Sequence, residues 1–119
     1  MKEVIGGKVA VPLSPAIKTE EFVFVSGQVS TKPDGSIEGG IEEQTAACLD
    51  KVKQLLEEAG TTMDNVVKTL VFITDVKDFQ AMNAVYAQYF PQEPPARSCV
   101  RADLMIDAKV EIEAIALRK

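Results

Sequence analysis

The sequence predicts an α+β fold in which two helices cover one face of a β-sheet. Three observations predict it: apolar runs of strand length, a long central segment with helical periodicity, and the order strands, helix, strand, helix, two strands. At 119 residues the chain has the length of one domain, which we place over residues 1–119. A core of this size leaves little room for a deep private cavity, so a pocket would form more easily between subunits.

Two helices are predicted from spacing and from residues that begin and end helices. The first covers residues 41–59 and ends at Gly60, and the second runs from Asp75 or Asp78 to about Phe90, where prolines follow. The apolar stripe of the first helix recurs at spacings of four and three, through Ile41, Thr45, Cys48, Val52, Leu55 and Ala59. The second helix has as its inward residues Phe79, Met82, Tyr86 and Tyr89.

Four strands are predicted, together with a short pair of strands within residues 4–10 around Gly6-Gly7. Residues 22–25 are apolar throughout, which is typical of a strand buried on both faces. The other three predicted strands cover residues 66–73, 97–102 and 110–117.

The last strand has two different faces. Alternation places four small or branched apolar residues on the face expected to contact the helices, namely Val110, Ile112, Ala114 and Ala116. Glu111, Glu113, Ile115 and Leu117 occupy the other face, which we expect to be buried against another subunit. A buried carboxylate needs a partner, and Arg97 and Arg101 are the cations that we expect on the adjacent strand.

Composition excludes several classes of function. The chain has 13 basic and 18 acidic residues, a net charge of −5 and 6% aromatic residues, so we expect no nucleic-acid partner. It contains no histidine, which excludes a histidine-based catalytic triad or histidine metal ligands within one subunit. Cys48 and Cys99 have no metal-type spacing, and Cys48 is expected to be a buried free thiol. The sequence has no secretory signal and no membrane-spanning run, which predicts a cytoplasmic protein and leaves organelle import open.

Five segments together resemble a known family. In chain order they are FVSGQ, VVKTLVFITD, DFQAMNAVYAQYF, PPARSCV and VEIEAIA, and the similarity extends from about residue 12 to residue 117. In these five segments the sequence resembles the reactive intermediate deaminase family (RidA/YjgF), which is also called endoribonuclease L-PSP. The resemblance implies a chorismate-mutase-like fold with a mixed sheet, assembled as a homotrimer with a central barrel and three clefts between subunits.

The resemblance also implies a function and roles for individual residues. The function is that of a 2-iminobutanoate/2-iminopropanoate-type deaminase, which hydrolyses enamine and imine intermediates to 2-keto acids and ammonia without a metal or other cofactor. Arg97 matches the arginine that binds the substrate carboxylate, a task suited to a planar guanidinium. Glu111 matches the carboxylate that activates water. Gly27 and Cys99 match positions whose backbone groups help to hold the substrate carboxylate, and Ser26 matches a polar residue of the same cleft.

Each role has a plainer alternative. Without the resemblance, Arg97 would be a salt-bridge residue at a strand end, Glu111 an edge or interface carboxylate, and Ser26 part of a turn. The catalytic hypothesis requires Arg97 to face Glu111 across a crevice shared by neighbouring protomers. Placement of the two groups on opposite sides of the sheet would count against it.

Two features depart from the family: Leu13, and the connection between the last two strands, which is one residue shorter and lacks the usual Leu-Pro. Leu13 stands where common members have a tyrosine that closes the cleft, so the mouth is expected to be more apolar, which indicates either a bulkier substrate side chain or weak deaminase activity. Two other functions stay open. One is an endoribonuclease or translation inhibitor, and the other is a non-catalytic trimer that binds small carboxylates.

Overall fold

The structure, a computed structural model, describes residues 1–119 and contains one six-stranded sheet in the order β1-β2-β3-β6-β4-β5. The strands are β1 (Glu3–Ile5), β2 (Ala16–Lys18), β3 (Phe22–Gln28), β4 (Val66–Ile73), β5 (Ala96–Arg101) and β6 (Val110–Leu117), and the helices are α1 (Ile41–Glu58) and α2 (Phe79–Tyr89). All neighbouring strands are antiparallel except β4 and β5, which are parallel and connected through α2. The predicted mixed α+β sheet with two helices is confirmed.

Helix α1 buries the apolar stripe predicted for it. The backbone N–H of Gly40 donates to the Glu43 carboxylate (2.9 Å), which satisfies one of the free N–H groups at the start of the helix. All six predicted stripe residues are buried. Gly60 then adopts φ +92°, a left-handed conformation that ends the helix at little steric cost.

Helix α2 begins after Asp78, one of the two predicted N-caps, and ends just before Phe90 as predicted. Asp75 accepts a hydrogen bond from the Lys77 backbone N–H (2.9 Å) and begins a 3₁₀ turn over Val76–Asp78, which α2 continues. Met82 and Tyr86 are buried as predicted. The inward placement of Phe79 is wrong, because its side chain is 41% exposed beside Arg97.

The core lies between the helices and one face of the sheet. The four residues predicted to face the helices from β6 are all buried, with exposures of 2% or less. Small side chains let α1 approach this strand closely, and the Cys48 thiol donates to the Val110 carbonyl (3.6 Å). The predicted helix-facing side of β6 is confirmed.

The second face of the sheet has no helix over it. It exposes Phe24, Val100 and Leu117, each by more than two fifths. The prediction that residues 22–25 are buried on both faces is therefore wrong for a single chain, because both helices pack on the same side. Glu111 and Glu113 lie on this second face, which we call the open face.

Two predicted strand arrangements are also wrong. Strand β1 pairs with β2 rather than with a neighbour around Gly6-Gly7, and both glycines have positive φ where the chain leaves the sheet. Strand β5 pairs with β4 and not with β6, so Arg97 and Arg101 are not adjacent to Glu111 and Glu113. Neither helix is long and apolar enough to cross a membrane.

Candidate active site

Arg97 lies on the helix-covered face of β5, between the sheet and α2. Its Nη1 donates a hydrogen bond to Asn83 Oδ1 (2.8 Å). The guanidinium carbon lies 4.8 Å from the centre of the Tyr86 ring and 5.8 Å from that of Phe79. Attraction between a cation and an aromatic face adds to the hydrogen bond in fixing the group. Since guanidinium has five N–H donors, most of them stay free for a ligand.

Tyr86 is itself held in place by contacts with the core. Its hydroxyl and that of Thr69 share a buried hydrogen bond of 2.6 Å. Its ring also packs on Phe90 with a centroid separation of 4.8 Å. Thr69 is the β4 residue that pairs with Arg97, so strand and helix hold the arginine together.

Cys99 follows Arg97 on the same face of β5 and is half-buried. Burial raises the pKa of the Cys99 thiol, an effect that the Arg97 charge partly offsets. Burial also raises the pKa of Cys48, to about 12. Because the thiolate is the reactive form of cysteine, neither residue is suited to be a nucleophile at neutral pH.

Glu111 belongs to a second cluster, where β6 meets a bulge in β3. The pairing of β3 with β6 shifts between Val25 and Gln28, and Gly27 lies in this irregularity. The Glu111 carboxylate covers Gly27 so closely that a Cβ at residue 27 would overlap its Oε2 atom. Glycine at this position therefore lets the carboxylate lie against the backbone.

Ser26 joins the bulge to the loop before β2. Its hydroxyl donates to the Ser14 carbonyl (2.6 Å), and its backbone N–H donates to the Pro15 carbonyl (2.9 Å). Leu13 precedes this contact and is 53% exposed. The Ser26 proton is thus used to hold the loop, while a lone pair on its oxygen can still accept a hydrogen bond.

The Glu111 carboxylate favours its protonated form more than an exposed glutamate does. Burial raises its pKa first, and the charge of Glu113 raises it further. Neither glutamate forms a salt bridge, since the one ion pair of the chain joins Lys32 and Glu38 (3.2 Å) on the surface. The predicted arginine partner is therefore wrong, because the arginines of β5 lie beyond β4.

The two clusters are on opposite faces of the sheet. Arg97 pairs with Thr69, which pairs with the buried Ala114 on the helix-covered face. Glu111 pairs with Phe72, whose β5 neighbour is the exposed Val100 on the open face. One chain therefore does not bring Arg97 and Glu111 to the same small molecule, which counts against catalysis by a single protomer. The pair predicted to face each other across a crevice between protomers stays a prediction.

The chain thus carries two half-sites. The arginine half-site consists of Arg97 and Cys99 with α2, and the glutamate half-site consists of Glu111, Gly27 and Ser26 with Leu13 nearby. No group of three or more His, Cys, Asp or Glu side chains is placed to hold a metal ion. A cleft of about 460 Å³ beside α1 is lined in part by Ser30, Thr31 and Lys51, and it contains no residue of either half-site.

A profile of the family described as Endoribonuclease L-PSP matches residues 7–118. This chain belongs to the Endoribonuclease L-PSP (RidA/YjgF) family. Among relatives of this L-PSP chain, a RutC family protein of Pyrococcus abyssi is 41% identical over 111 residues, which cover 91% of this chain and 87% of the relative. The mitochondrial protein Mmf1 of Saccharomyces cerevisiae is 41% identical over 112 residues, covering 92% and 77%.

Solved structures of relatives agree with the fold of the L-PSP chain. Escherichia coli TdcF with bound serine superposes with a TM-score of 0.92 at 35% identity, covering 98% of this chain and 99% of that one. The YjgF gene product of E. coli superposes with a TM-score of 0.85 at 36% identity, covering 91% and 89%. The fold implied by the resemblance is confirmed for the single chain.

The role of Asn83 and the hydrogen bond between Tyr86 and Thr69 were not predicted from the sequence. Phe79, Asn83 and Tyr86 are spaced by four and three, so they share one stripe of α2. A polar residue within an otherwise apolar inward stripe was the available signal for Asn83. Only the register of β4 against β5 brings Thr69 and Arg97 to this stripe.

Proposed function

We propose that this L-PSP chain is an enamine/imine deaminase that acts on 2-iminobutanoate- and 2-iminopropanoate-type substrates. Its active site would be a cleft between two copies, with the arginine half-site from one protomer and the glutamate half-site from its neighbour. The observation that carries the proposal is the Arg97 guanidinium, fixed by Asn83 at 2.8 Å with donors left for a carboxylate.

A small amino-acid-like ligand suits the arginine half-site. A carboxylate can accept two parallel hydrogen bonds from a guanidinium, which fixes its plane as well as its position. The relative TdcF was solved with bound serine, which, like a 2-imino acid, has a carboxylate attached to a carbon that bears nitrogen. The nearby Phe79 ring, 41% exposed, offers an apolar contact for the substrate side chain.

Assembly would bring the two half-sites together. The open face exposes aromatic and aliphatic side chains around Glu111 and Glu113, and apolar area of this kind favours association. A closed ring of three copies, as the resemblance implies, repeats one heterologous contact and yields three equivalent clefts. Each cleft would then receive one arginine and one glutamate from different chains.

Glu111 is suited to move protons in such a cleft. The enamine first tautomerises to the imine; a water held by Glu111 then adds its oxygen to the imine carbon and gives a proton to the carboxylate. That proton passes to the nitrogen and completes the carbinolamine. Glu111 then takes the hydroxyl proton of the carbinolamine and gives it to the same nitrogen, so the C–N bond breaks as the C=O bond forms, and ammonia and the 2-keto acid leave. A positioned general base contributes about 10²- to 10⁴-fold, and a raised pKa brings that base closer to neutral pH.

The deciding experiment measures imine decay in a coupled assay. An amino-acid oxidase or a dehydratase generates the imine or 2-aminoacrylate, and semicarbazide traps what has not been hydrolysed. We expect faster decay with the wild type and loss of most of that effect in Arg97→Ala. Arg101→Ala is the matched control, since Arg101 is an exposed arginine at the end of the same strand. Equal decay with wild type and Arg97→Ala would reject the deaminase.

An endoribonuclease is the second candidate, favoured by the family description. The net charge of −5 and the absence of histidine oppose it, because RNA binding and acid–base cleavage usually use cationic and imidazole groups. RNA cleavage that falls in Arg97→Ala, in a nuclease-free preparation, would support it. A third candidate, a carboxylate-binding trimer without catalysis, would bind a 2-keto acid while imine decay stays at the uncatalysed rate.

A further inference from the structure

We propose that Tyr86 is a positioning residue for Arg97: its ring supports the guanidinium from the side that faces the core. The inference rests on the proposed function, because it concerns how the arginine half-site presents its donors to a carboxylate. It assigns Tyr86 a task in ligand binding that is separate from its contribution to the core.

The contacts of Tyr86 point in two directions. Towards the core, its hydroxyl bonds to Thr69 at 2.6 Å and its ring packs on Phe90. Towards the site, the face of the same ring lies 4.8 Å from the Arg97 guanidinium carbon. Only 6% of Tyr86 is exposed, so the ring has a fixed place from which to support a charged group.

The supports of Arg97 act from different sides. Asn83 accepts a hydrogen bond from Nη1, and the guanidinium carbon lies over the Tyr86 ring. With one nitrogen hydrogen-bonded and the group held over the ring, the remaining donors have fewer orientations available. A carboxylate therefore meets donors that are already placed, and less conformational freedom is lost when it binds.

A purely structural role is the competing explanation, and the chain offers a matched control. Tyr89 lies on the same helix, and its hydroxyl donates to Asp50 Oδ1 on α1 (2.7 Å) and lies 3.2 Å from the Ala46 carbonyl oxygen. Tyr89 is not one of the cation–aromatic partners of Arg97, which are Phe79 and Tyr86. Changing either tyrosine alters helix packing, but only a change at Tyr86 should alter ligand affinity.

The first test is calorimetric titration of the 119-residue chain with 2-oxobutanoate, the stable keto-acid product of 2-iminobutanoate hydrolysis. Since a cation–aromatic contact is modest, we expect Tyr86→Leu to weaken binding about three- to thirtyfold. Tyr86→Phe keeps the ring and should stay within about threefold of wild type. Tyr89→Leu and Tyr89→Phe should bind as the wild type does. In turnover, KM should rise in Tyr86→Leu while kcat stays nearly constant.

A second measurement does not depend on Tyr86→Leu folding. The chain contains two tyrosines and no tryptophan, so Tyr86 is the only strong emitter in Tyr89→Phe. A carboxylate bound to the cation against its ring should change Tyr86 fluorescence in a saturable way. The change should be absent in the double variant Tyr89→Phe/Arg97→Ala.

The outcomes separate the inference from the proposed function. Unaltered affinity in a folded Tyr86→Leu variant would overturn the inference, as would silent Tyr86 fluorescence when calorimetry shows binding. Absence of 2-oxobutanoate binding to the wild type would reject the arginine half-site, and the inference with it. Normal binding without imine hydrolysis would reject only the deaminase and leave the role of Tyr86 intact.

Discussion

The guanidinium of Arg97 and the carboxylate of Glu111 lie on opposite faces of one sheet, on strands that β4 alone separates. Each chain thus carries both groups, yet they point into different surroundings. If both act on one substrate, they come from different protomers, and activity becomes a property of the assembly.

Mixed assemblies should recover activity that each single variant lacks. When Arg97→Ala and Glu111→Gln chains are unfolded, mixed equally and refolded together, about one cleft in four should receive both intact residues by random assembly. Imine hydrolysis should therefore return to roughly a quarter of the wild-type rate. Each variant refolded alone is the control. No recovery, despite mixed assemblies seen by native mass spectrometry, would contradict a site shared between chains.

Lysine should replace Arg97 poorly. An ammonium keeps the charge but loses the planar pair of donors, and it leaves Asn83 and Tyr86 without the group they hold. We expect Arg97→Lys to weaken 2-oxobutanoate binding about tenfold, which corresponds to one charge-assisted hydrogen bond. Titration calorimetry measures this. An affinity equal to that of wild type would mean that charge alone suffices.

The pH profile should depend on Glu113. Glu111 must lose its proton to act as a base, so kcat/KM should rise with pH through a pKa that lies above the ordinary value of 4.5. Glu113 contributes to that elevation, so Glu113→Gln should move the acidic limb to lower pH. Imine decay followed across pH checks the shift. In Glu111→Gln, kcat/KM should no longer rise with pH in this range. If Glu113→Gln leaves the apparent pKa of the acidic limb unchanged, the limb reports the titration of another group.

Gly27→Ala should displace the Glu111 carboxylate. The new Cβ would overlap Oε2 and lie 2.8 Å from Cδ and 3.1 Å from Cγ, so the side chain must rotate away. We expect kcat to fall about tenfold or more, since misplaced catalytic groups lose orientation. Gly40→Ala is the control, because its Cβ would meet nothing closer than 3.6 Å. Similar kcat values for the two variants would argue against a catalytic position for Glu111.

Leu13→Tyr should narrow the range of substrates. Leu13 is exposed beside the loop that Ser26 holds, and a tyrosine there adds bulk and a hydroxyl. We expect the ratio of kcat/KM for small over branched imino acids to increase. Competition between imines generated from alanine and leucine measures that ratio. An unchanged ratio would place Leu13 outside the cleft.

Periodicity predicted much of the fold. Strands β4 and β6 have the predicted bounds, and all six residues of the α1 stripe are buried. Periodicity is informative here because any other secondary structure would expose these apolar side chains to water. Strand β2 was missed because three residues are too few to show alternation. The two faces of β3 were misjudged because an apolar run does not tell a helix from a neighbouring subunit.

The candidate site was predicted less completely. Arg97, Glu111 and Gly27 were found through the resemblance, and the contact of Gly27 with Glu111 agrees with a shared cluster. Their faces were not predicted, because strand order is a long-range property: β5 was assumed to pair with β6, whereas β4 lies between them. The role of Asn83 was not predicted because its partner Arg97 is fourteen residues away, and their contact depends on that same strand order.

Strand β6 follows every other element in the chain and yet lies in the middle of the sheet, between β3 and β4. During synthesis, the β1-β2-β3 and β4-β5 portions therefore have no strand to join them until residues 110–117 have left the ribosome. Completing the sheet requires pairing between distant parts of the chain, which slows folding. Loss of these eight residues would leave two unconnected fragments with bare inner edges that are prone to aggregate.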